Sequence, residues 1–535
     1  MKKNIFIGLL AGALFLTSCD KFLDVNPESK IPAKDIFQNK QNLNAYVLDL
    51  YRSWRDSHKD RVNMYLGTDE SNLGGIQWRD DYSRRGMDTY TDGLNSTNGN
   101  VQGIWKSRFE VAQRAAAAIA ILSPGQGTNE AEFNIRLGEL SLLRAINHFE
   151  LVQMFGAIPL ADDLKKAEYG SRRQPIEEVY KHIENDLILA SKYLLEPGNG
   201  DNKDPRRATK ALAQAMLGKL YLYAPQNSGI RSYEKAAEQF KLVVDNPYFG
   251  RTGATDFKTI FDADKESTDD YKREMIYAFQ FNNVGGDINS IQFAMGSRVV
   301  SNATKPESLI PFAGFDNIVP TEYAYKDKKD GGIWEDGDVR KNESIRYDFA
   351  WEGVTPPLSG YVWGDELDPH VKKYEDARIL KEKQSTYYSG KNVPFIRFSD
   401  IVLNYAECLY FTGKQAEAID LINNVVRKRA FGGTLPADKR WSSGMGQQEF
   451  MKNLMDERMR ELCFEGWRKF DLIRTGLLKD YVSTRNRWVL GTYKGKPIEG
   501  AAKVKIDEFR FIWPIPLDEL RQNPDLTLAD QNPGY

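Results

Sequence analysis

Leu16-Thr17-Ser18-Cys19 ends an apolar run in a cysteine, and the chemistry open to that thiol is acylation. Lys2 and Lys3 precede the apolar core Ile5 to Leu16, and small residues follow, which is the three-part pattern of an export signal. The run is too short to span a bilayer. Cleavage before Cys19, with lipid on its thiol and freed amine, would anchor the chain: each buried CH₂ contributes about 0.8 kcal/mol, and two or more acyl chains hold where one does not. The plainer alternative is an ordinary secretory signal beside a chance cysteine.

Other reactive groups are sparse in pattern. His58, His148, His182 and His370 are the only histidines, and none pairs at the spacing of a zinc site. There is no G-x-S-x-G elbow, no phosphate loop of the form G-x-x-x-x-G-K-[ST], and no G-x-G-x-x-G fingerprint between a strand and a helix. The expectation is therefore of no metal, no cofactor and no catalytic residue. Carboxylates are plentiful, and two acids some 5 to 10 Å apart leave no sequence signature, so a glycosidase pair stays open as an alternative.

What the chain does offer is aromatic and polar. A sugar presents apolar C–H faces and a rim of hydroxyls, which a flat Trp or Tyr and directed Asn, Asp and Arg groups can meet. Trp78-Arg79-Asp80-Asp81-Tyr82 and the stretch from Tyr90 to Asn95 and Asn98 carry that mixture inside an irregular segment, Asp69 to Asn100. A second such segment, Gly250 to Val393, holds Tyr323, Tyr325, Trp334, Tyr347, Trp351, Tyr361, Trp363, Tyr387 and Tyr388, which look exposed. Long irregular segments in a compact protein are usually functional. The nominated ligand contacts are Asp69, Trp78, Arg79, Tyr82, Tyr90 and Asn95 from the first segment, and Trp334, Trp351 and Trp363 from the second. The competing reading of each aromatic is core packing, which is the expectation for Trp105 at the head of a helix.

Composition is that of a folded globular body, with 41% hydrophobic and 28% charged residues. No later run is long and apolar enough to span a membrane. Loss of residues 1 to 18 removes Lys2 and Lys3 and no acid, moving the formal charge from -2 to -4, with no bias toward nucleic acid. Cys408 and Cys463 each sit in an apolar helical pattern and read as buried thiols, so disulfides are not what holds this exported chain together.

A tether with Pro27 and Pro32 should lead into helices. The pattern predicts helices over Glu139 to Phe155, Ile176 to Leu195, Arg207 to Tyr223 and Tyr233 to Val244. Two pairs carry degenerate tetratricopeptide spacing: Leu217-Gly218, Tyr221, Ala236 and Phe240, then Tyr405-Ala406, Leu409, Gly413, Ala418 and Ile422. Near the end, Met455, Met459, Leu462, Cys463, Phe470 and Ile473 read as one helical face, with Asp456 to Arg460 and Glu465 to Lys469 as i,i+4 pairs. Glu457, Arg458, Glu461, Arg468 and Asp471 then read as a structural ion network.

Three blocks carry a family resemblance. Ile396-Arg397-Phe398-Ser399-Asp400-Ile401-Val402-Leu403-Asn404-Tyr405-Ala406-Glu407 resembles the R-x-x-D-x-x-L-x-Y-A-E helix of the SusD/RagB family of outer-membrane lipoproteins. The stretch from Glu457-Arg458 through Glu461-Leu462 and Phe464-Glu465-Gly466 to Arg468, Asp471-Leu472 and Arg474 resembles its E-R-x-x-E-L-x-F-E-G-x-R-x-x-D-L-x-R signature. Pro514-Ile515-Pro516, Glu519-Leu520, Asn523-Pro524 and Gln531-Asn532-Pro533-Gly534-Tyr535 are similar to its ending, and Cys19 with Phe22-Leu23-Asp24 matches too.

The resemblance implies a mainly α, SusD-like fold in which tetratricopeptide-like helix pairs, about residues 132–246 and 396–476, cradle a loop-rich half. It implies a signal peptide over 1–18, a lipidated Cys19 and tether over 19–34, and one domain over 35–535. It further implies a non-catalytic, surface-exposed outer-membrane lipoprotein that captures an oligomeric nutrient, usually a glycan, and passes it to a SusC-like TonB-dependent barrel. A peptide-binding, RagB-like member and a surface glycoside hydrolase are the alternatives.

Overall fold

The computed structural model describes residues 40–59, 62–122, 130–160, 171–199, 204–282, 287–303, 311–350, 368–378 and 389–535. The expected signal, Cys19 and tether, together with Trp351, Tyr361, Trp363, Tyr387 and Tyr388, lie outside these residues.

Leu43, Val47, Leu50, Tyr51 and Trp54 fall three or four apart along α1 (Lys40–Asp56), so one face is buried, against α2 (Gly99–Ile121) and α3 (Glu130–Phe155). α2 begins where the Asn98 side chain accepts from the N–H groups of Asn100 and Val101. α3 starts earlier than the stripe from Glu139 predicts, because Phe133 extends the buried face by two turns, and it ends at Gly156 with φ of 72°. α4 (Ile176–Tyr193), α5 (Lys210–Tyr223) and α6 (Tyr233–Val244) follow, each packed on the one before. Arg207 stays outside α5, its guanidinium bonded to Glu139 at 2.8 Å.

α6 packs in turn on α7 (Phe398–Phe411), although the whole irregular half of the chain lies between them in sequence. The two tetratricopeptide-like pairs thereby join into one run of helices. A Cβ on Gly218 would lie 2.5 Å from the Phe240 ring, so the glycine is what lets α5 and α6 approach. Gly413, at φ of 87°, closes the turn into α8 (Gln415–Leu421), which runs on through a π-helical stretch, Ile422–Arg427.

The signature region corrects the sequence reading. Two helices, α9 (Gln447–Leu462) and α10 (Arg468–Arg474), replace one continuous face, since Phe464 and Gly466 take φ of 62° and 89°. The break turns Glu465 toward Arg397 and Lys373 (2.7 and 2.8 Å), away from Lys469, and Asp456 accepts from Tyr323 rather than from Arg460. Lys469 is left buried with no hydrogen-bond partner among the described residues, and burial pulls its amine down to about 7.

The expected ion network is present and buried. Arg397 donates to Glu465, Glu274 and Glu461 at 2.7 to 2.9 Å, and Arg458 to Asp400 and Asp471 at 2.7 and 2.8 Å. Glu461 also accepts from Arg340 and Arg429 (3.0 and 2.6 Å). Burial would raise its carboxyl, but Arg429, Arg397 and Arg340 outweigh that and hold it well below the usual range. Cys408 and Cys463 are buried free thiols, and burial raises both, Cys463 to about 11.

Short antiparallel ladders stitch the loop-rich half. β1 (Ser71–Leu73) pairs with β3 (Ile318–Pro320) in the register Ser71 to Pro320 and Leu73 to Ile318. β2 (Met275–Phe279) pairs with β6 (Val393–Arg397), and β4 (Ile345–Arg346) with β5 (His370–Val371). The first ladder brings together the two irregular segments that carry the nominated residues.

Candidate functional site

β1 leads into a short helix, Gly75–Asp80, and then into Tyr82–Thr89, whose first turn is capped by Asp81 accepting from the Arg84 N–H at 2.8 Å. Gly74 starts this run because nothing larger fits: a Cβ there would lie 1.9 Å from the carbonyl oxygen of Asp316. That contact seats the short helices against the strand-to-loop segment before β3.

Trp78 lies flat on Trp488, whose Nε1 donates to the Leu73 carbonyl at 2.8 Å, and keeps 9% of its surface exposed. The Arg85 guanidinium stands 5.4 Å from the ring centres of both Trp78 and Tyr82, and Tyr82 is 53% exposed. Across the seam, Arg298 lies 3.9 Å over Phe315, a ring 42% exposed, with Phe293 beside it at 5.4 Å. Arg298 donates from Nη2 to the Phe315 carbonyl (2.9 Å) and from its backbone N–H to Asp316 Oδ1 (3.1 Å). Asp316 also binds His370 at 2.6 Å; burial works against the imidazolium, and Asp316 outweighs it, raising the His370 pKa.

Three of the other nominated residues, Asp69, Tyr90 and Trp334, are buried away from this surface. Asp69 is fully buried, bidentate to Arg468 at 2.7 and 2.8 Å and paired with Arg485; burial would raise its carboxyl, and the two guanidiniums hold it low instead. Tyr90 is fully buried, its hydroxyl donating to the Gly67 carbonyl at 2.6 Å. Trp334 is buried, its Nε1 donating to the Ala324 carbonyl at 2.7 Å. A ligand arriving from solvent cannot reach these three side chains, because neighbouring elements cover them. Tyr325 is buried likewise, Tyr347 remains exposed, and Trp105 is core. Asn95 shapes its own turn, its Oδ1 accepting from the Thr97 N–H at 2.9 Å. Arg79 is exposed and bidentate to Asp80 at 2.6 Å.

Sequence reasoning passed over Phe315, Arg85 and Arg298, which complete the surface. No local pattern marks Phe315, a lone Phe between Gly314 and Asp316. A polar hollow of about 210 Å³ opens at the head of α2, lined by Asn63, Asn100, Ser107 and Arg108, where Cβ atoms on Gly99 or Gly103 would meet nothing. Asn63 there accepts from Arg84 at 3.2 Å. A larger hollow of about 270 Å³ is lined by Lys258, Asp262, Arg346, Glu375 and Arg378, with Arg346 paired to Glu375 inside it. Among the described residues no group of three His, Cys, Asp or Glu side chains could hold a metal ion, and no helix is long and apolar enough to cross a membrane.

A sequence profile described as the SusD family matches residues 257–535, and one described as "Starch-binding associating with outer membrane" matches residues 21–222. The chain is 25% identical to SusD-like protein P2 of Formosa agariphila, over 100% of this chain and 99% of that one. It is 24% identical to the starch-binding protein SusD of Bacteroides thetaiotaomicron, over 77% and 75% of the two chains. Among solved structures, it superposes on a SusD homologue from Bacteroides thetaiotaomicron with a TM-score of 0.76, 22% identity, and 94% and 98% of the two chains covered. It also superposes on surface glycan-binding protein A of the same organism, in complex with laminarihexaose, with a TM-score of 0.70, 18% identity and 92% and 99% coverage.

Proposed function

The chain belongs to the SusD family, of the Bacteroidetes type, and from that membership we propose that it is a non-catalytic glycan-binding lipoprotein of the outer-membrane surface. In this reading residues 1–18 are removed, Cys19 carries the lipid, and the single domain over 35–535 hands its ligand to a SusC-like TonB-dependent barrel. The observation that carries it is the surface where Tyr82 and Phe315 present rings to solvent, with an edge of Trp78, among directed polar groups. Rings of this kind stack on the C–H faces of sugars, and a shallow platform suits a long polymer better than an enclosed pocket does. The names of relatives lend support, since two of them bind starch or carry a laminarin oligosaccharide.

The test is affinity electrophoresis of the detergent-solubilised full chain through gels cast with single polysaccharides, followed by an assay for new reducing ends. Retardation by at least one glycan without release of reducing ends is expected. Binding confined to peptides, or hydrolysis abolished by one Asp or Glu substitution, overturns the reading.

A further inference from the structure

Most arginines of the interior are matched to carboxylates, several of them to more than one, as Arg397 is to Glu465, Glu274 and Glu461. At the ring surface two guanidiniums pair with no described carboxylate. Arg85 forms no ion pair with a described carboxylate; it rests against Trp78 and Tyr82 and touches only the Trp78 carbonyl, at 3.5 Å. Arg298 lies on Phe315, its Nη2 donating to the Phe315 carbonyl at 2.9 Å and its Nε buried without a described acceptor. The nearby acids are committed elsewhere: Asp80 to Arg79, Asp81 to Arg84, and Asp316 to His370. Gly74, which precedes the Trp78 helix, donates to the Asn317 carbonyl at 3.4 Å and packs against Asp316, which sets the two halves of the surface side by side.

A guanidinium laid on a ring is fixed in position by cation–π attraction while its in-plane N–H edge stays free to donate. That edge matches two oxygens of a carboxylate or sulfate, and a charge-assisted pair is about twice as strong as a neutral hydrogen bond. A neutral sugar hydroxyl can accept from the same edge but leaves the positive charge uncompensated. The formal charge of the chain is -2, so the surplus at this surface is local and not part of a generally basic protein, and it acts over about 8 to 10 Å at ordinary ionic strength.

Resting on the glycan-binding reading above, we infer that the ligand is an anionic glycan, its carboxylate or sulfate substituents held by Arg85 and Arg298 while its sugar rings stack on Tyr82 and Phe315.

The test measures binding of the detergent-solubilised full chain to polygalacturonate, a carboxylated polymer, and to a sulfated galactan, with laminarin and starch as neutral polymers and poly-glutamate as an acidic peptide. The expected result is at least tenfold tighter binding to one of the two anionic glycans than to either neutral one, weakened by raising salt from 50 to 300 mM. Which anionic polymer wins identifies the substituent. Arg85→Gln and Arg298→Gln should each loosen that binding at least fivefold with an unchanged melting temperature, and Arg→Lys at either position should restore part of it. The salt response of the unaltered chain decides the matter even where a variant folds poorly. Equal or tighter binding of laminarin or starch, indifferent to salt, overturns this inference and leaves the glycan-binding reading standing. Binding of poly-glutamate with no glycan bound overturns both.

Discussion

The indole of Trp78 lies parallel to that of Trp488, with ring centres 4.5 Å apart and an angle of 1° between planes. One face of the site's largest aromatic is thus packed against the core, and only an edge is left for ligand. Trp78 is a joint between the short helix Gly75–Asp80 and the Trp488 region, and it is also the ring on which Arg85 rests.

Trp78→Ala should therefore cost about 3 kcal/mol of folding stability, the scale of a buried Trp truncated to Ala, and lower affinity as well by freeing Arg85. Thermal melts beside calorimetry check it, and an unchanged melting temperature contradicts the packing role.

Tyr82→Ala separates binding from folding. The ring is exposed, so its loss should leave the melting temperature within error while removing about 1 kcal/mol of stacking, about a fivefold weaker affinity. Calorimetry with the glycan identified by electrophoresis reads the loss.

Glu461→Ala should be among the most destabilising single changes, since it leaves Arg340, Arg397 and Arg429 facing one another in the interior without their shared carboxylate. Breaking a buried pair costs about 3 to 5 kcal/mol, and a urea midpoint measures it. A fall smaller than 1 kcal/mol would show that water or rearrangement replaces the carboxylate.

Glu70 makes stability depend on pH. Burial pushes its carboxyl up to about 8, opposed by the Phe464 N–H and by Arg468, and its Oε1 has no hydrogen-bond partner among the described residues. The folded state then holds a proton that the unfolded state releases near 4.5, so stability is full below that value and falls as pH rises toward 8. Glu70→Gln keeps an acceptor for Phe464 and removes the titration, so the variant should lose less stability than the parent between pH 5 and 9. Melting curves across that range decide; parallel curves count against the buried proton.

Cys19→Ala should release the chain from membranes into the aqueous phase, because in the proposed reading the anchor is the acyl chains on this thiol and its freed amine. Phase partition in detergent checks it, and retention with the detergent phase contradicts the lipid reading.

The helices and the family were legible in the sequence because both are written in short range. An amphipathic helix is specified by residues three or four apart, so α4, α5 and α6 fall within a few residues of where the pattern predicts them. The ion network was also legible as scaffold, since so many charges on apolar helical faces must pair in order to be buried. Its partners were not: Asp69, which reads locally as a loop residue, meets Arg468 at a separation of 399 positions. Nor was the break between α9 and α10, which a left-handed Phe464 makes without any helix-breaking proline. For the site, the local mixture around Trp78 pointed to the right segment, yet could not tell the exposed Tyr82 from the buried Tyr90. Whether a ring faces solvent depends on what distant chain covers it, and here Trp488 covers Trp78 while Tyr82 stays exposed. Packing between segments far apart in the chain decided which aromatics became core and which were left to meet a ligand.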